Sequence, residues 1–281
     1  MNMFNREFES FAKSISQLLD DLPPPFALPR GWRFDQEDSL ILCLRPGSAG
    51  GLPLCTLHDV FRTFQCESSV LLSNSTATAE PMPTEMAAAH LAAIRLCHHM
   101  GDAFDDVHHR AKAFDACVVD LFGRWEKVLI LNLESFTNYG KVNRCFRELN
   151  VPIVLREDKW EAGHGKADVY LQITYNYSLL VKALTESTET AAINFLSHGA
   201  PCFLICVLGM HFHLLVFAFI VLLLFRAHVI FICGGFYDGQ KTIVEPLSNP
   251  VFMLRDPTNT RPAEVATLLW ALVRGISSLR L

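Results

Sequence analysis

Between Pro201 and Phe225 the chain places 25 residues whose only polar side chains belong to His211 and His213. Few features restrict a fold as strongly. A stretch of this length and hydropathy meets the criterion for a transmembrane helix, which needs roughly 20 apolar residues. Arg226 closes it. Read that way, the chain is a single-pass membrane protein anchored by residues 204–225, with no catalysis.

At 281 residues the chain suits one large domain or two small ones, with a sizeable core. A formal net charge of −5 argues against a protein that coats nucleic acid non-specifically, which needs a basic surface. A small, locally basic cleft is compatible with it, and Arg144, Arg147, Arg156, Lys159 and Lys166 fall close together in sequence. Nine cysteines without short-range metal spacing read as buried, reduced thiols of an intracellular protein, nuclear or cytoplasmic. The first eight residues are charged and amphipathic and carry no signal-peptide core.

Periodicity divides the chain. Residues 3–21 read as an amphipathic helix, stopped by Pro23-Pro24-Pro25. Short strands are expected at 31–34, 39–44 and 52–64, then a Ser/Thr/Ala/Pro-rich linker at 67–83. Helices follow from Thr84 to about Met100 and from Phe104 to Phe122. A buried strand over 127–133 precedes a turn at Asn138-Tyr139-Gly140, and 142–146 with 152–157 form a hairpin. Residues 168–184 read as a helix. Strands are expected at 201–208, 229–233 and 242–247, the last two joined by an Asp238-Gly239 turn, with a final helix over 262–279. The expected division is 1–83, then an α/β domain over 84–281.

The chemistry concentrates between Glu157 and Gln172. An apolar run from Val151 to Leu155 leads into Glu157-Asp158-Lys159, a glycine-bearing loop follows, and Gln172 falls in the first turns of a helix. Side chains alternate along a strand, so Glu157 and Lys159 share a face and Asp158 takes the other. A carboxylate and an amine so placed can hold a divalent cation and position a water or a scissile phosphate. This is the arrangement of the PD-(D/E)XK nuclease site. Glu157 is the expected Mg²⁺ ligand. Lys159 would stabilise charge at the phosphate or help activate water. Gln172 would orient Lys159 or that water, and Asp168 would cap its helix.

The stretch Leu155 to Tyr177, then Pro201 to Gly209 and Gly235 to Gly239, resembles an uncharacterised basidiomycete fungal protein family with a PD-(D/E)XK core. So do the Phe26 to Phe64 region, with Trp32 and Leu57 to Phe61, and the helices from Cys97 to Phe114. The resemblance implies a restriction-endonuclease-like mixed sheet flanked by helices, behind a mostly helical N-terminal region. It implies nucleic acid as the partner and Mg²⁺ as the cofactor of an active form. The second metal ligand of such a site is an Asp opening the second core strand. Here the best-placed residue is Asn138, a poorer ligand, with Glu134 as the nearby substitute. If neither serves, the protein binds nucleic acid without cutting it.

The fungal family runs from the strand ending near Gly209 directly into the strand at Val229, which leaves residues 210–226 as an insert. Gly209-Met210 can be encoded GGT-ATG, Leu222 to Phe225 permit a pyrimidine tract, and Arg226-Ala227 permit a closing AG in frame. The insert therefore also reads as a translated intron, which would look membrane-like by accident and would break a hairpin of the core.

Cys97-His98-His99, Asp102, Asp105-Asp106 and His108-His109 are rich in metal-ligand types, yet solvated helix faces produce such clusters readily. Ser197 and Ser248 have no motif that would make either a nucleophile. An interaction module without catalysis or anchor completes the alternatives.

Overall fold

The computed structural model describes residues 41–43, 53–73, 84–100, 104, 107–122, 126–131, 140–148, 151–159, 169–214, 223–255 and 260–279. The expected helix at 3–21, the strand at 31–34, the Asn138-Tyr139 turn and Asp168 lie outside these residues.

The elements run in this order: β1 (Ile41–Cys43), α1 (Leu54–Leu57), α2 (Asp59–Ser73), α3 (Thr84–His99), α4 (Val107–Phe122), β2 (Glu126–Leu131), β3 (Gly140–Glu148), β4 (Val151–Lys159) and α5 (Val169–Thr185). Then come α6 (Thr190–Ser197), β5 (Cys202–Leu214), β6 (Leu223–Tyr237), β7 (Thr242–Pro246), β8 (Val251–Met253) and α7 (Thr260–Ser277). The strands build one mixed sheet in the order β1-β7-β6-β5-β4-β3-β2, and β8 lies beside β7 along the same edge of β6. Six strands of five or more residues, β2 to β7, form its body.

β2, β3 and β4 form an antiparallel meander. The chain then crosses over through α5 and α6 and returns as β5, parallel to β4. A parallel return needs such a crossover, because a tight turn can join only antiparallel neighbours. β4 is buried from Val151 to Asp158 and β5 from Cys202 to Val207. Continuous burial, in place of alternation, marks central strands covered on both faces.

Helices supply those covers. On one face Phe203 of β5 meets Phe61 and Phe64 of α2, each at 5.6 Å between ring centroids. α7 lies over the same residue: a Cβ on Gly275 would come 2.6 Å from Phe203 Cζ. On the other face α5 packs, with Tyr177 donating to Ala200 O at 2.9 Å and Tyr170 to Val244 O at 3.1 Å. Gly234 and Gly235 on β6 admit both layers. A Cβ at Gly234 would stand 2.8 Å from Leu54 and Phe61, and one at Gly235 2.8 Å from the Tyr177 ring.

A strand was expected over 52–64, but Leu54–Leu57 form α1 and α2 starts at Asp59. Their aromatic and β-branched content favours strands, but Val60, Phe61 and Phe64 recur at helical spacing and bury one face. α2 also reaches Ser73, into the stretch read as a linker. The Asp238-Gly239 turn is found as expected: Asp238 Oδ1 accepts the amides of Gln240 (2.8 Å) and Lys241 (2.6 Å), and Gly239 takes φ +95°.

The described residues of the apolar run, 202–214 and 223–225, are strand. β5 and β6 pair from Cys202↔Gly235 to Leu214↔Leu223, so the described ends of the supposed insert continue the ladder and do not break the core hairpin. Among the described residues no helix is long and apolar enough to cross a membrane.

Candidate functional site

Glu157 and Lys159 share the α5 face of β4, as alternation requires. Lys159 Nζ lies 3.6 Å from Glu157 Oε1. Glu157 is buried, while part of the Lys159 side chain reaches solvent. The pair therefore opens outward at its cationic end.

α5 completes the arrangement with two amides one turn apart. Gln172 and Asn176 are at i, i+4 and so share a helix face. Gln172 Nε2 donates to Asn176 Oδ1 at 3.3 Å, and Asn176 Nδ2 donates to Glu157 Oε2 at 3.4 Å. Gln172 was expected to orient Lys159 or a water. Its side chain donates to Asn176 and reaches the carboxylate through that residue. Asn176 is fully buried and was not singled out in the sequence. The available signal was its position four residues after Gln172. Glu134 and Asn138, the candidates for a second metal ligand, lie outside the described residues.

The opposite face of β4 carries a buried ionic cluster under α4. Arg156 Nε meets Asp158 Oδ2 at 3.0 Å, its Nη1 meets Asp115 Oδ1 at 2.7 Å, and its Nη2 donates to Ala111 O at 3.2 Å. The guanidinium lies 4.3 Å above the Phe114 ring centroid. Asp115 also receives Arg144 Nε at 2.8 Å. Arg110 Nη2 donates to the main-chain oxygen of Lys159 at 2.5 Å. Burial pulls the Arg110 guanidinium below its ordinary range; Asp158 opposes that shift and Arg156 adds to it.

Two expectations change as a result. Arg144 and Arg156 do not line a basic cleft; both are buried and matched to Asp115 and Asp158. Asp158 indeed faces away from Glu157, and its partner is Arg156. Elsewhere, His98 and His99 are exposed, and no group of three or more His, Cys, Asp or Glu among the described residues could hold a metal. Ser197 donates to Asn194 O in the last turn of α6, and Ser248 accepts the amide of Ile232.

Comparison with protein-family models, curated proteins and solved structures found no match to this chain.

Proposed function

We propose that this chain is a PD-(D/E)XK nuclease-like protein that acts on nucleic acid, hydrolysing a phosphodiester with Mg²⁺ as cofactor. The observation that carries the reading is the Glu157–Lys159 pair, 3.6 Å apart on one face at the end of a central strand. The order of elements supports it: a helix, a three-stranded meander ending in Glu-x-Lys, a helix with Gln172, then a strand parallel to the third. That order is the one a restriction-endonuclease-like core uses.

Glu157 suits a Mg²⁺ ion. One oxygen is held by Asn176 and the other lies 3.6 Å from the Lys159 ammonium, and Mg²⁺ takes few protein oxygens and keeps several waters. When bound, the ion would polarise the phosphate and lower the pKa of a coordinated water. The residues of the chain do the rest. Asn176 fixes the Glu157 carboxylate, and Gln172 fixes Asn176. Lys159 presents a positive charge where negative charge grows as water adds across the P–O bond. Hydrolysis leaves a phosphomonoester on one fragment and a hydroxyl on the other.

The test is cutting of duplex DNA, single-stranded DNA and RNA with Mg²⁺ or with chelator. Metal-dependent cutting should fall by about 10²-fold or more in Glu157→Ala and Lys159→Ala, as expected when a group that stabilises transition-state charge is removed. Undiminished cutting in both variants would remove the site assignment. A wild-type chain that neither cuts nor binds any of the three probes would remove the reading altogether.

A further inference from the structure

We propose that Arg110 is a positioning residue, one that sets the Glu157–Lys159 pair through the main chain from the far side of the sheet. The idea deepens the reading of that pair as a functional site. The β3–β4 ladder ends at Arg144↔Arg156, whereas β4 stays paired with β5 out to Lys159↔Leu208. Glu157, Asp158 and Lys159 pair with Cys206, Val207 and Leu208 of β5. Arg110 adds a tether at the last residue of the strand, through its bond to the Lys159 carbonyl. The carbonyl belongs to the same residue whose ammonium faces Glu157.

Arg110 is a costly choice if the purpose were only to fill space. Its side chain is completely buried, and taking a guanidinium out of water is expensive unless it is paired and hydrogen-bonded. Asp158 offsets that charge, and Asp158 is itself fixed by Arg156. Arg156 in turn bonds to Ala111 O, the residue after Arg110 on α4. The loop of contacts from Arg110 through β4 to Ala111 fixes α4 against the strand end in one register. A planar guanidinium suits the task because its donors have fixed directions, whereas an ammonium on a flexible stem lacks that constraint.

The measurement is the acylation rate of Lys159 in the full-length protein, read by peptide mass spectrometry relative to Lys182 and Lys241. Glu157→Gln sets the rate for an unpaired Lys159. In Arg110→Met the relative rate should rise toward that value. Arg110→Lys, which keeps the charge without the fork, should give an intermediate rate, and it decides the question if the methionine variant does not fold. A general loosening would raise all three lysines together and leave the ratio unchanged. A wild-type ratio in whichever variant folds overturns the proposal. Because the labelling needs no catalysis, it separates this inference from the nuclease reading. Where wild-type cutting is measurable, Arg110→Met should lower kcat with KM unchanged, and an equal fall through KM alone counts against positioning.

Discussion

Asp115 holds two guanidiniums at once, Arg156 on Oδ1 and Arg144 on Oδ2, and both arginines are buried. Removing the acid would leave two charges in the protein interior with one counter-ion fewer. Uncompensated buried charge costs about 3–5 kcal/mol, far more than an exposed pair contributes. Asp115→Asn should therefore lower stability by about 3 kcal/mol. Asp59→Asn is the reference: it breaks the exposed Arg62–Asp59 pair and should change stability by less than about 0.5 kcal/mol. Urea unfolding of the two variants separates them, and equal shifts in midpoint would contradict the account. At this scale the shared face of Glu157 and Lys159 was legible, because it follows from strand alternation alone. The Asp115 cluster and Asn176 were not. Each depends on which helix packs on which face, and nothing local in the sequence states that.

The β5–β6 hairpin has two parts with different surroundings. Up to Leu208 and His228 it lies inside the sheet, with β4 along one side and β7 and β8 along the other. From Gly209 onward, β5 and β6 pair only with each other among the described residues. A two-stranded ribbon is marginal on its own, so the outer part contributes little to holding the core. Deleting residues 210–226 would join Gly209 to Ala227. The last pair would become Leu208↔Val229, closed by three residues, Gly209, Ala227 and His228. Three-residue connections are common in hairpins, and the cost of changing loop length is small, on the order of 1 kcal/mol. The shortened chain should fold, with its melting transition close to that of the full chain and with better solubility. A shortened chain without a cooperative melt would make the ribbon an integral part of the fold. The result also bears on the translated-intron reading, which requires the shorter chain to be a competent protein. Most elements could be placed from sequence because their signals are local: the Asp-Gly turn, the Thr84 helix start and the apolar strands. α2 and this ribbon could not. In α2 the composition pointed to strand and only the spacing pointed to helix, while a run of apolar residues has no period that separates a buried strand from a helix.

The order of strands in the sheet joins parts of the chain far apart in sequence. β1 pairs in parallel with β7, Ile41↔Thr242 to Cys43↔Val244. α2 packs beneath α7, where Glu67 receives Trp270 Nε1 at 3.2 Å and Arg274 Nε at 3.5 Å. Such pairings are silent in the sequence, since no local pattern records a partner some 200 residues away, whereas the parallel return of β5 follows from the helix between it and β4. A division at residue 83 falls in a stretch outside the described residues, and it can be tested by cutting there. Leu54, Val60, Phe61 and Phe64 are fully buried against the same core as Phe203 and α7. Losing four such side chains removes about 2 kcal/mol each, comparable with the whole stability of a typical domain, about 5–15 kcal/mol. Residues 84–281 expressed alone should therefore be unfolded or aggregated, with tryptophan emission shifted toward that of a solvent-exposed indole. Adding residues 1–83 as a separate chain should restore part of the cooperative transition. If the fragment alone melts cooperatively at the temperature of the full chain, the two parts are independent domains, and the packing of α2 under α7 is a contact between them that the fold does not need.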